Sequence, residues 1–220
     1  MTRLWEVLAN NLPEFSSAFF VTIRLVAQSF VLAAVVGVVI AGFRVAPSKW
    51  LQRLGGIYVE IFRNTPLLVL CIIFFAGLRR AGLPIDGWTA GTAALGLYTA
   101  AYVAEAIRSG VFAVGKGQID ASLSLGFTYR ETLSKIVLPQ AVRTVIPPIG
   151  NLLIAMIKNS AIVGGSLIAL PDLLKTARVI QNRNALTNET FFWGAVGYLL
   201  LTVTATVVVR KLETRLAIKR

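Results

Sequence analysis

Leu25-Val-Ala-Gln-Ser-Phe-Val-Leu-Ala-Ala-Val-Val-Gly-Val-Val-Ile-Ala-Gly-Phe43 lies between Arg24 and Arg44 and carries no charge. A helix crosses the hydrocarbon core of a bilayer with about 20 such residues. Its apolar side chains point all round the helix, so no face is left for water and the segment belongs in lipid. Ala33, Gly37 and Ala41 recur every four residues. That stripe would let a second helix approach closely, although slim residues scattered through an Ala/Val-rich span account for it equally well.

Outward from this span, Gly87–Ala104 and Thr190–Val209 are further charge-free runs. Asn64–Leu78 is too short alone and needs extension back to Ile57. Thr144–Pro171 is interrupted only by Lys158 and is too long for one simple helix, so Pro147, Pro148, Gly150, Gly164 and Gly165 are expected to break it. The spacing predicts five spans, roughly 20–43, 57–78, 88–106, 144–163 and 190–209. The expected fold is an all-α, polytopic membrane protein, with residues 1–220 as one membrane domain and no internal repeat. Met1–Ser17 lacks a strongly basic start and a convincing cleavage site. It is expected to be a short interfacial helix, broken near Pro13, before a retained span.

Composition agrees. Of 220 residues, 56% are hydrophobic and 15% charged, too little polar surface to clothe a soluble core of this size. Histidine is absent and Cys71 is the single cysteine, which excludes His-based triads, His/Cys zinc sites and an internal disulfide. Cys71, inside an apolar run, reads as a small membrane hydrophobe. The net charge is +12, and fourteen of the 22 Lys and Arg fall in the 44–63 connection, the 105–143 connection and the C-terminal tail. The positive-inside rule then places the N-terminus outside and the tail in the cytoplasm. Membrane lipid accounts for the basic residues, and no nucleic-acid partner is needed.

The longest polar stretch, about 109–143, reads Gly115-Lys-Gly-Gln-Ile-Asp-Ala-Ser-Leu-Ser-Leu-Gly126, then Phe127-Thr-Tyr-Arg-Glu-Thr-Leu-Ser-Lys-Ile-Val-Leu-Pro139. Gln118–Leu125 favours a helix with Ile119, Ser122 and Leu123 available to one face, and Asp120 near its positive end. Gly126 is a natural stop. A second short helix is expected from Thr128 to Leu138, with Thr128 and Glu131 at capping-box spacing and Pro139 just beyond. Two short helices joined by a glycine make a cytosolic knob suited to another protein's groove, though a plain connector would look similar.

Gln118-Ile-Asp120-Ala121-Ser122-Leu-Ser-Leu125-Gly126, followed by Leu138-Pro139-Gln140-Ala141-Val-Arg143 and Asn151, resembles the "EAA" loop of ABC-importer permeases, and more narrowly that of the polar amino-acid uptake permeases. Tyr58-Val-Glu60-Ile-Phe-Arg63-Asn-Thr-Pro66, Tyr102-Val-Ala-Glu105-Ala-Ile-Arg108-Ser-Gly110 and Lys158-Asn159-Ser160 are similar to other motifs of that family. Arg44-Val-Ala-Pro47 and the Lys211–Ala217 tail look most like actinobacterial glutamate permeases. The resemblance implies a type I importer permease, not itself an enzyme, which takes up polar amino acids, most specifically L-glutamate. It implies ATPase coupling through Gln118, Asp120, Ala121, Ser122, Leu125 and Gly126. It also implies a second, different permease subunit, two cytosolic ATPase subunits and an extracellular substrate-binding protein. No cofactor is expected on this chain, since ATP would be bound by its partners. Two departures stand out: Glu-Ala-Ala appears as Asp120-Ala121-Ser122, and Ser166–Leu173 lacks the usual Val-Ile-Gly.

Other polar residues have two readings each. Gly110–Lys116 has Walker-loop spacing, but Gly117 replaces Ser or Thr and a span precedes it, which speaks against nucleotide binding. Glu60 with Arg63, and Glu105 with Arg108, are either snorkelling pairs or a cytoplasmic gate. Lys158, inside an apolar run, either binds a substrate carboxylate with Asn159 and Ser160 or anchors a helix end or Glu105. Thr99 and Tyr102 either line a polar path or serve helix packing. An ion-gradient-driven transporter or channel is the alternative function, as is a subunit that only supports assembly. Acids clustered at span ends and in loops, rather than buried mid-span, disfavour a proton relay.

Overall fold

The structure, a computed structural model, describes residues 2–216, so Met1 and Ala217–Arg220, with two of the basic tail residues, lie outside it. Its regular elements are the helices α1 (Thr2–Val45), α2 (Lys49–Asn64), α3 (Leu67–Arg80), α4 (Gly87–Phe112), α5 (Lys116–Ser124), α6 (Tyr129–Gly165), α7 (Leu173–Asn184) and α8 (Thr187–Leu216). No strand occurs among the described residues.

The centre of the bundle is α4, with α1 laid along it and α6 crossing it. Ala90, Ala94, Ala100, Ala101 and Ala104 are buried there. Small residues are needed because the neighbours come very close. A Cβ at Gly37 of α1 would run into Val103, one at Gly96 into Leu32, and one at Gly110 into Val145 of α6. Ala33 and Ala41 are buried too, so the small-residue stripe of α1 is a helix-packing seam.

Three helices, α1, α6 and α8, are individually long and apolar enough to cross a membrane, and α2 with α3 forms a bent fourth candidate. The fifth expected span is α4. Its 26 residues reach about 39 Å at 1.5 Å each, but it is rich in Gly, Thr and Tyr because it faces protein rather than lipid.

The expected second span, 57–78, is not one helix. It starts earlier, at Lys49, and its two arms meet at 100°. Pro66 supplies no N–H and forces Thr65 into an extended conformation (φ −96°, ψ 125°), which ends α2. The expected breaks in 128–165 are also corrected, because one helix runs from Tyr129 to Gly165 through Pro139, Pro147, Pro148 and Gly150. A π-helical turn at Thr132–Val137 shifts the hydrogen-bond register just ahead of Pro139, whose missing N–H would otherwise interrupt the ladder. Gly150 is not a break but a contact, where Val209 of α8 presses on the α6 backbone. The helix does end at the Gly164–Gly165 pair. The expected interruption near Pro13 appears as a kink in a continuous α1, with Asn11 non-helical (φ −123°, ψ 15°) and its amide donating to the Val7 carbonyl at 2.8 Å.

At the end of the bundle where α6 finishes, Asp172 is fully buried and touches three helices, α6, α7 and α8. It caps α7 by accepting from the Lys175 N–H at 2.8 Å and accepts from the Tyr198 hydroxyl of α8 at 2.7 Å. It lies so near Gly164 that any Cβ there would overlap its carboxylate. Next to it, the Leu173 N–H donates to Thr22 of α1 at 3.3 Å. Burial pushes its carboxyl up to about 6, against the opposing pull of the N–H and hydroxyl donors. Beside this hub the start of α1 is fastened to α8 and α7, by Trp193 Nε1 donating to the Leu4 carbonyl at 2.7 Å and by Arg183 pairing with Glu14 at 2.8 Å.

Candidate functional site

Three polar constellations stand out: a knob at one end of the bundle, an ion cluster on α4, and a half-open cavity between two helices.

The knob is α5 and the first turns of α6. Its helix closes as the glycine predicts. Gly126 has φ +84°, its N–H donates to the Leu123 carbonyl at 3.0 Å, and the Phe127 N–H donates to the Ser122 carbonyl at 3.2 Å. These two bonds form the Schellman pair, and a side chain at position 126 would be strained. The capping box also forms, with Thr128 and Glu131 exchanging backbone and side-chain hydrogen bonds at 3.0 and 3.3 Å. Ile119 packs with Val114, Leu133, Val137 and Ala141 under the knob. Ser122 is buried as expected, but Leu123 is exposed instead of facing inward. Asp120, Ala121 and Gly126 are exposed, and Leu125 is 78% exposed. An aliphatic side chain so far out in water, beside a carboxylate at the knob's tip, is what a partner's groove would bury. Gln118 instead faces α6, accepting from Gln140 Nε2 at 2.6 Å.

The ion cluster centres on Glu105 of α4. Arg108 pairs with it at 3.0 Å, the i,i+3 contact its spacing suggests. The second partner, Arg44 at the end of α1, reaches it at 3.1 Å from another helix, a pairing that sequence spacing does not signal. Arg44 passes against Gly55 and Gly56 of α2, where added Cβ atoms would sit 3.0 Å from its side chain. That glycine pair was the available signal. Glu105 therefore joins α1, α2 and α4, and the suggested Lys158–Glu105 anchor does not form. Nor does the Glu60–Arg63 pair. Glu60 is exposed, and Arg63 instead lies over the Tyr102 ring, 5.1 Å from its centroid.

The cavity, about 170 Å³, lies between α4 and α6 and is lined by Tyr98, Thr99, Tyr102, Leu152, Ala155, Met156 and Asn159. The structure thus brings together Thr99, Tyr102 and Asn159 from the expected substrate path and adds Tyr98, whose hydroxyl is 3.1 Å from that of Tyr102. Tyr98 is one helical turn before Tyr102 and was legible as such. Tyr58 braces this wall by donating to the Leu97 carbonyl at 2.8 Å. Ser160 departs from the expected path. It is buried and donates to the Ile157 carbonyl at 2.7 Å. Lys158 is exposed and does not line the cavity.

Residues 33–218 match the family of binding-protein-dependent transport system inner membrane components. A probable glutamine ABC transporter permease of Bacillus subtilis is 40% identical over 96% of this chain and 97% of its own. A glutamate transport system permease of Corynebacterium glutamicum is 37% identical over the full length of both. Among solved structures, an amino acid ABC transporter with histidines superposes with a TM-score of 0.89 at 33% identity, covering 94% of this chain and 96% of that one. The methionine transporter MetNI in an inward-facing conformation, at 18% identity and a TM-score of 0.68, shares the fold. The chain therefore belongs to the binding-protein-dependent transport system inner membrane components, and within them to the amino-acid permeases of ABC importers.

Proposed function

We propose that this permease imports L-glutamate by alternating access, driven by ATPase subunits that grip the knob at Asp120–Gly126. The observation that carries the reading is the knob itself, a rigidly closed helix whose buried face is fixed to α6 while Leu125, Ala121 and Asp120 are left in water. The basic end bearing it is cytoplasmic and the N-terminus is outside, as the excess of Lys and Arg in its connections supports. Two cytosolic ATPases bind the ATP, a different permease chain completes the pathway, and an extracellular binding protein delivers the substrate. ATP-driven closure of the ATPases biases a two-state bundle toward its outward-open form, and hydrolysis resets it.

The substrate path runs by the cavity between α4 and α6. Thr99, Tyr98, Tyr102 and Asn159 offer neutral hydrogen-bonding groups there. Arg63 over Tyr102 puts a cation beside this wall, which suits a substrate carboxylate. The Corynebacterium relative supports glutamate as substrate and the Bacillus relative supports glutamine.

Proteoliposomes holding both permeases, the ATPases and the binding protein test the reading. L-Glutamate uptake is expected to need ATP and to resist competition by L-glutamine, L-cystine and L-arginine. Stronger competition by L-glutamine would reassign the substrate. Uptake driven by an ion gradient without ATP would overturn the importer mechanism.

A further inference from the structure

Ser122 stands where the "EAA" pattern has its second alanine, and the structure gives its hydroxyl a task. Ser122 and Thr132 are 2% and 1% exposed, with their hydroxyl oxygens 2.8 Å apart. The Ser122 proton is directed to the Ile119 carbonyl at 2.8 Å, which leaves Thr132 as donor and Ser122 as acceptor between the two helices. Gln118–Gln140 makes a second, exposed link. Among the described residues, every side-chain hydrogen bond from α5 to another helix ends on α6, and none on α4. Thr132 also opens the π-helical turn of α6. From there the helix runs unbroken to Asn159 in the cavity wall, about 40 Å further along at 1.5 Å per residue.

We propose that the Ser122–Thr132 hydroxyl pair is the clip through which α5 moves α6, making both of them positioning residues for the coupling of ATP turnover to transport. Force applied to the knob enters α6, and so the Asn159 wall of the cavity, while α4 stays with α1 and α2 through the Glu105 cluster. The inference rests on the reading of the knob as the ATPase dock. A buried hydroxyl pair suits this work because losing Thr132 removes the bond between the helices, losing Ser122 leaves the Thr132 hydroxyl without that acceptor, and either change loosens the joint.

The test uses the complete complex in proteoliposomes and two readouts: co-purification of the ATPase, and ATP hydrolysed per amino acid imported. The probe is whichever of L-glutamate, L-glutamine, L-cystine and L-arginine the wild-type complex imports. Thr132→Val keeps the shape and removes the hydroxyl. It is expected to retain the ATPase but raise the ATP spent per import about fivefold, the factor belonging to one lost buried hydrogen bond. Thr132→Ser keeps the hydroxyl and is expected to retain the wild-type ratio. Should Thr132→Val fail to accumulate, Ser122→Ala is measured in the same way. An unchanged ratio in a hydroxyl-free variant that still holds the ATPase overturns the clip. A wild-type chain that holds no ATPase overturns the docking reading instead.

Discussion

Each end of the bundle is organised by one carboxylate, and the two are built differently. Glu105 is partly solvated and pairs with two arginines, so its hold depends on charge and is weakened by salt. Asp172 is sealed from water and held by two neutral donors, a helix N-terminal N–H and the Tyr198 hydroxyl, in the room that Gly164 leaves. An ion cluster at the rim can open and close at modest cost, whereas a buried carboxylate with every contact specified cannot be rearranged without unfolding its surroundings. The end that bears the knob is thus the adjustable one, and the Asp172 end is the fixed hub.

Substitutions can break or sharpen this contrast. The largest effect is expected from Gly126→Asp at the adjustable end. The strain at φ +84° should cost the fold only about 1–2 kcal/mol, so the protein stays in the membrane while ATP-dependent uptake falls to background. Normal uptake by that variant would remove the knob from the mechanism. Gly164→Val at the fixed hub should act through stability instead, driving methyl groups into the Asp172 carboxylate. A loss of about 3–5 kcal/mol is expected, as when a buried charged contact is broken, and detergent thermal melts with membrane accumulation would show it. A well-folded Gly164→Val protein would mean that the hub is softer than its packing implies.

Glu105→Gln leaves Arg44 and Arg108 facing each other without a counter-charge. We expect a loss of about 1–2 kcal/mol, the low end for hydrogen bonds to a charged group because the cluster is partly solvated, shrinking as salt is raised, whereas hub variants should be insensitive to salt. Equal salt dependence at both ends would erase the contrast. The smallest effect is expected from pH. The folded-state pKa of Asp172 is raised to about 6 from an ordinary value of 3.8, so the folded protein binds this proton more tightly than the unfolded chain. Protonation should therefore stabilise the fold as pH falls through 6, by about 1 kcal/mol between pH 7.5 and 5. The shift should be absent from Asp172→Asn, and a wild-type melting point that tracks that variant across this range would contradict it.

Much of this architecture is legible in the residues, and the failures share a cause. The outer spans α1 and α8 read directly, because lipid imposes apolarity on every face. The knob reads well too, since Gly126 and the Thr128–Glu131 pair are local signals that need no knowledge of the rest of the chain. Pro66 and Pro139 show the limit. Both residues interrupt the same backbone ladder, yet one produces a 100° bend and the other is absorbed by a π-helical turn. Packing against α4 and α5 decides between these outcomes, and no local pattern encodes it. Charge pairing fails in the same way. Arg63 has Glu60 at helical spacing but rests on Tyr102, and Glu105 draws Arg44 from another helix. In the proposed substrate path, Thr99, Tyr102 and Asn159 converge because α4 and α6 pack against each other there. Lys158, one residue from Asn159, points about 100° away around the helix.

The reach of Arg44 past the Gly55–Gly56 pair also bears on how the chain is made. Its acceptor, Glu105, lies 61 residues downstream, so at translation speeds of about 5–20 residues per second it emerges roughly 3–12 s later. Until then the guanidinium must remain hydrated at the bilayer surface, with α1 and α2 inserted but not yet fastened. Delivery of α4 is what locks the first two helices in place, which makes the third hydrophobic segment the step that commits the nascent chain to its final arrangement.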